Sequence, residues 1–174
     1  MKQDRAGSMV TASELRDAFD WTFASCVNTE VSSSVGVLAI RISGDAYALS
    51  VAQVSGLFKD RRITVLPTDV PALLGIAGLR GGIVPVYDLG VLLGYPSGEA
   101  PRWMVVATAH APVGLAFDQF EGHVRIPETA LAAAERTETV RAHVREIVRT
   151  PDGVRGRIDI PAVIEAITTG GRSG

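Results

Sequence analysis

From residue 35 onward, short apolar runs alternate with small clusters of glycine, proline, serine and aspartate, a rhythm that predicts strands joined by turns. Residues 35–42 form one run, closed by Ser43-Gly44-Asp45, and residues 47–51 return as its hairpin partner. Residues 54–57 follow a break at Gln53. Residues 63–66 read as a further strand stopped by Pro67, and Pro71 keeps the connection non-helical. The central stretch, residues 73–94, reads LLGIAGLRGGIVPVYDLGVLLG. Its runs 73–79 and 83–89 predict two buried strands, and Arg80-Gly81-Gly82 between them predicts a tight turn in which glycine reaches positive φ. Pro85 cannot donate to a ladder, so it is expected at a strand edge or bulge. Residues 103–108 and 113–117 form the next hairpin, residues 124–126 a short strand, and Pro127-Glu128 open a helix running to Arg136. Residues 140–148 satisfy both the strand and the helix period. The turn Thr150-Pro151-Asp152-Gly153 favours a hairpin into residues 154–160. A C-terminal helix over 161–167, with proline in its first turn, precedes a disordered tail at 169–174.

The first 34 residues follow a different period. Thr11 and Glu14 have the spacing of a capping box, and Leu15, Ala18, Phe19, Thr22 and Phe23 then recur on one helical face. So short a helix is marginal alone and draws its stability from docking the face of Leu15, Phe19 and Phe23. Its target is either its own domain or another protein. Ser32-Ser33-Ser34 reads as a linker, which gives an extension over 1–34, a domain over 35–168 and the tail. Roughly nine or ten short strands with few helices predict a mainly β protein of antiparallel barrels. The series suits two small barrels sharing one apolar interior better than a single wide one.

Composition narrows the picture. The 174 residues are 47% hydrophobic but only 6% aromatic, so the core is built from Val, Leu, Ile and Ala. A net charge of −2 argues against a protein that neutralises many phosphates, and gives no long-range attraction to an acidic membrane. Of 17 basic residues only Lys2 and Lys59 are lysines, a bias suited to hydrogen-bonded or stacked contacts. The single cysteine, Cys26, excludes an internal disulfide or a multi-cysteine metal site. With no membrane-spanning apolar run and no signal-peptide core, a soluble cytoplasmic protein is expected.

The search for chemistry is thin. His110, His123 and His143 are isolated, no phosphate-binding glycine loop or GxSxG elbow is present, and Cys26 has no predicted basic neighbour to lower its pKa. Lys59-Asp60-Arg61-Arg62 reads most simply as a solvated loop. Asp88, Asp118 and Asp159 each end an apolar run, in VYDL, AFDQF and RIDI. They either converge on a site or cap chain ends by accepting backbone amides. No catalytic residue, metal or cofactor is predicted.

Leu66-Pro67, Leu74-Gly75-Ile76, Leu79-Arg80-Gly81, Ile83-Val84-Pro85-Val86 and Asp88-Leu89 together resemble the central motif of the CheW-like domain, the fold of a bacterial chemotaxis coupling protein. The likeness extends from about residue 35 to 167 and takes in 47–54, 113–118 and the hairpin 152–159. It implies two interlocked five-stranded SH3-like barrels, a few short helices and no catalysis. It also implies an adaptor between the cytoplasmic tip of a methyl-accepting chemoreceptor and the regulatory domain of a CheA-like histidine kinase, in rings that include other CheW-like domains, with neither nucleic acid nor membrane insertion. Arg80 matches the arginine implicated in that coupling. Val54, Gly56, Gly75, Leu79 and Gly81 fall on or beside positions tied to partner binding. The chain departs from the family at Gly78, where asparagine is common, at Gly56, where glutamate is common, and at Arg155 and Arg157 in a normally apolar hairpin. Arg80 is either displayed to a partner or paired with Asp88 inside the fold. Two other functions stay open: a small-molecule-binding barrel with Asp118 and Asp159 lining a cleft, and an adaptor of a non-flagellar pathway such as pilus motility.

Overall fold

The computed structural model describes residues 33–107, 111–133 and 141–170. Strands β1 (Ser34–Ile42) and β2 (Asp45–Ser50) form a hairpin closed by the pair Ile42↔Asp45. Its two turn residues, Ser43 and Gly44, both have positive φ, matching the twist of the flanking strands. A 3-10 turn at Val51–Gln53 leads into β3 (Val54–Lys59). Next come β4 (Leu73–Leu79), β5 (Gly82–Asp88), the one-turn helix α1 (Leu89–Leu92), β6 (Trp103–Ala107), β7 (Val113–Phe117) and β8 (Gln119–Pro127). A 3-10 turn at Glu128–Ala130 precedes β9 (Leu131–Ala133), and β10 (Val144–Thr150), β11 (Gly153–Ile158) and α2 (Ile160–Gly170) complete the described elements.

The described strands make two sheets. One has six strands in the order β8-β1-β2-β11-β10-β9, the other five in the order β3-β6-β7-β5-β4. Pairing is antiparallel except at β2/β11 and β5/β7. Strand β1 is apolar on both faces because it separates two cores. Leu38, Ile40 and Ile42 join Leu89, Leu115, Phe117, Ile158 and Val163 in the large core shared by both sheets. Val37 joins Ala48, Ile126 and Val148 inside the six-stranded sheet. A third cluster, with Leu79, Val84, Val86 and Met104, fills the five-stranded sheet. Burial of each such side chain stabilises the fold by about 1.5–3 kcal/mol. Pro85 pairs with Ile76 of β4, and parallel pairing with β7 starts only at Val86. The proline therefore sits where one ladder ends and the next begins.

Several elements differ from the sequence expectation. The helix expected over 128–136 is, in its described part, a 3-10 turn followed by β9, which pairs with β10 at Leu131↔Val148 and Ala132↔Ile147. Alanine-rich helix propensity yields here to a sheet ladder and to Leu131 packing beside Ile126 and Val148. Residues 63–66 form no strand. They run as an exposed strap with one bridge, Thr64↔Ile76. The ambiguous 140–148 segment is a strand from Val144, and β8 is far longer than the three residues expected. Helix α2 begins at Ile160 and continues through Gly170, into the stretch expected as tail.

The arginines of the closing hairpin have specific partners. Arg155 is only 5% exposed, and its Nη1 donates to Glu121 Oε2 at 2.6 Å and to the Ile40 carbonyl at 3.5 Å. Glu121 Oε1 accepts from Arg41 Nε at 2.6 Å, and Arg41 also donates to the Gly44 carbonyl. One carboxylate thus ties β11, β8 and β1 together. The Arg41 hydrogen bond, helped by Arg155 and opposed by burial, holds the Glu121 carboxyl below the usual range. Arg157 pairs with Glu146 at 2.7 Å and Arg145 with Asp159 at 3.0 Å.

Candidate interaction site

The β4–β5 hairpin closes at Leu79↔Gly82, leaving Arg80 and Gly81 as a two-residue turn. Both have positive φ, 49° and 82°. That geometry suits glycine or asparagine, and an arginine there costs about 1–2 kcal/mol of backbone strain. The Arg80 side chain stands exposed at the tip, and among the described residues no hydrogen bond or ion pair holds it. It is not paired with Asp88. Beside it lies a mostly apolar groove of about 240 Å³ formed by Ser55 and Phe58 of β3, Leu79 to Val84 of the hairpin, Val106 of β6 and Pro112. Ile83, at its rim, is 72% exposed. An uncovered branched side chain next to a free guanidinium is a surface suited to a protein partner, because such a pair offers both a desolvated anchor and a charge-assisted hydrogen bond.

The other expected site residues have different placements. Gly81 is exposed in the turn, Leu79 is buried in the small core, and Val54 is half-buried opposite Ala107. Gly75 is buried under the strap at φ 141°. A Cβ there would lie 2.1 Å from the Thr64 carbonyl oxygen, so the glycine is what lets the strap reach β4 and exchange hydrogen bonds of 2.8 and 2.9 Å with Ile76. Gly56 lies beneath the Phe58 ring, which a Cβ would meet at 2.9 Å. Where the family commonly carries glutamate, this chain lays an aromatic ring along the groove. Leu15, Phe19, Phe23, Cys26 and His110 lie outside the described residues.

The three aspartates do not converge. Asp88 caps α1, accepting from Gly90 N at 2.8 Å and Val91 N at 3.2 Å. Asp118 accepts from Ser43 N at 2.6 Å, and Asp159 accepts from Ala162 N at the start of α2. Asp88 and Asp118 do border one polar cleft of about 340 Å³, with Glu99 and Arg102, but Asp159 lies elsewhere, in a small depression with Arg145, Glu146 and Arg157. The cleft expected between Asp118 and Asp159 is therefore absent among the described residues. Burial pushes the Asp88 carboxyl up against its two amide bonds, and Asp118 adds to the rise. Among the described residues, no group of three His, Cys, Asp or Glu side chains could hold a metal ion, and no helix is long and apolar enough to cross a membrane.

Sequence reasoning missed Ser55, Phe58, Ile83, Val106 and Pro112 as groove residues. Only the β3–β6 and β4–β5 pairings bring them together, and no linear spacing signals it. It also missed a buried hydroxyl pair, in which Tyr47 and Tyr95 meet at 2.7 Å, Tyr95 donates to Asp45, and the Arg141 guanidinium lies 4.0 Å above the Tyr95 ring. Burial, with the Asp45 and Tyr47 contacts, pushes the Tyr95 hydroxyl well above its ordinary range, so it stays a donor.

Comparison with known proteins agrees with this architecture. The CheW-like domain family matches residues 36–168. The chain is 25% identical over 144 residues to Chemotaxis protein CheW of Bacillus subtilis, covering 80% of this chain and 92% of that one. It is 28% identical over 134 residues to Chemotaxis protein CheW of Thermotoga maritima, covering 76% and 89%. The crystal structure of scaffolding protein TtCheW from Thermoanaerobacter tengcongensis superposes with a TM-score of 0.65 at 23% identity, over 72% of this chain and 88% of that one. The two-sheet architecture and the match across most of its length make this chain a member of the CheW-like domain family.

Proposed function

We propose that the chain is a non-enzymatic scaffold adaptor that couples methyl-accepting chemoreceptors to the regulatory domain of a chemotaxis histidine kinase, working in the cytoplasm within a receptor array. Family membership and two chemotaxis-named relatives support the adaptor role. The observation that carries the reading is Arg80, a cation kept in left-handed backbone, without a partner among the described residues, beside an open apolar groove. Backbone preference disfavours arginine there, so the side chain is retained for a contact outside the described domain. Ile83 supplies the apolar anchor and Arg80 the directional hydrogen bonds, a division of labour typical of an interface centre. Val54, Gly56, Leu79, Gly75 and Gly81 shape this surface from beneath.

The test is co-elution of the full chain with the kinase regulatory domain and a receptor-tip fragment from the same cell. Wild type is expected to retain both. Ile83→Ser is expected to melt like wild type, because the side chain is already exposed, yet to weaken retention at least about tenfold, the loss of one buried apolar anchor. Retention of neither partner by wild type, or full retention by the variant, contradicts the proposal.

A further inference from the structure

The run Lys59-Asp60-Arg61-Arg62 is not a loose solvated loop. The Asp60 amide donates to the Arg102 carbonyl at 2.7 Å, and the Asp60 carboxylate accepts two hydrogen bonds from the Arg102 guanidinium, at 3.0 and 3.1 Å. Asp60 itself sits at φ 49°, so the chain makes a fixed bend at that point. The single acid of the run is thus engaged by Arg102, whose hydrogen bond holds its carboxyl below the usual range. Three cations remain, and two of them rest on aromatic faces. Lys59 Nζ lies 5.2 Å from the centre of the Trp103 ring and the Arg61 guanidinium 5.2 Å from the centre of the Phe58 ring. Phe58 is also a wall of the Arg80 groove. The cations therefore continue the groove's rim, and the bend holds them in place before anything binds.

We propose that Lys59, Arg61 and Arg62 form a second reading surface, continuous with the Arg80 groove, that takes an acidic segment of a partner protein. The inference rests on the groove being a partner site and adds the chemistry of its occupant: an apolar side chain seated beside Ile83, flanked by carboxylates that meet Arg80 at one end and the 59–62 run at the other. Charge complementarity selects an acid, and the adjoining apolar hollow selects a protein segment, since nucleic acid or lipid headgroups would meet the cations alone. The patch is compatible with a net charge of −2, because the balance is global and this surface is local.

The experiment uses the full chain and two synthetic peptides, one with two leucines flanked by glutamates and one with glutamines in their place, followed by NMR shift perturbation. The acidic peptide is expected to bind more tightly, to shift signals of Phe58, Arg61 and Ile83, and to weaken as salt rises. Lys59→Gln/Arg61→Gln/Arg62→Gln is expected to fold like wild type and to lose roughly fivefold to fiftyfold in affinity for that peptide. Equal affinity for the two peptides, no binding of either, or an unaltered affinity in the triple variant overturns the inference. So does recruitment to vesicles of equal phosphatidylserine and phosphatidylcholine that the triple variant loses. Failure here with co-elution intact sinks the acidic-segment proposal alone, whereas failure of co-elution with peptide binding intact sinks the coupling function.

Discussion

Gly75→Ala is expected to lower the stability of the domain by about 2–5 kcal/mol, because the residue fails on two independent counts. At φ 141° the backbone is closed to L side chains. The new Cβ would also lie 2.1 Å from the Thr64 oxygen and 2.8 Å from the Thr64 carbonyl carbon, both backbone atoms that cannot rotate aside. The strap must lift, and the two Thr64–Ile76 hydrogen bonds are lost with it. For a domain of this size that corresponds to a fall in Tm of about 5–15 °C. The matched control is Gly81→Ala, at φ 82° with open space around it, where only backbone strain of about 1–2 kcal/mol applies. Equal melting of the two variants would refute the seating role. The comparison also separates two ways of losing a partner: at position 75 binding falls because the strap beside β4 is displaced, with no contact from the residue itself.

Glu121→Ala is expected to cost about 2–4 kcal/mol, because it leaves Arg155 charged, buried and held by one long hydrogen bond to Ile40. The cost comes from the orphaned cation, so Glu121→Ala/Arg155→Leu should be more stable than Glu121→Ala alone. Denaturant melts of the three proteins decide this, and a double variant worse than the sum of its parts would contradict it. The pH dependence has a fixed sign. Glu121 has a depressed pKa in the folded protein, so its contribution is present above the unfolded value near about 4.3 and is lost as pH falls through the folded value. Wild type should weaken below about pH 4.5, with a shallower acid limb in Glu121→Ala.

The hairpin at Arg80 was legible because its information is local: apolar runs of strand length, a glycine turn and a proline at a ladder boundary. The mainly β class followed from the same spacing. What the sequence hid is carried by contacts between distant segments. Arg155 looks like a solvated charge in its own hairpin, and only the fold brings it to Glu121, 34 residues earlier. Residues 131–133 have the composition of a helix and become a strand because β10 offers them a ladder. Gly56 reads as a lost carboxylate until the Phe58 ring is seen lying over it. The three aspartates were correctly bracketed between a shared site and separate caps, and their amide partners decide for caps. The charge run at 59–62 was passed over because net charge says nothing of where the one acid points.

The central claim is that Arg80 occupies its strained turn for the sake of a partner. Arg80→Asn tests it most directly, since Asn-Gly is the preferred pair for this turn and asparagine tolerates the left-handed conformation. Tm and retention of the kinase regulatory domain would be read on the same preparation. A Tm equal to or above wild type together with at least about tenfold weaker retention is the predicted result; a depressed Tm with retention unchanged would mean that the arginine serves the fold, and would contradict the account.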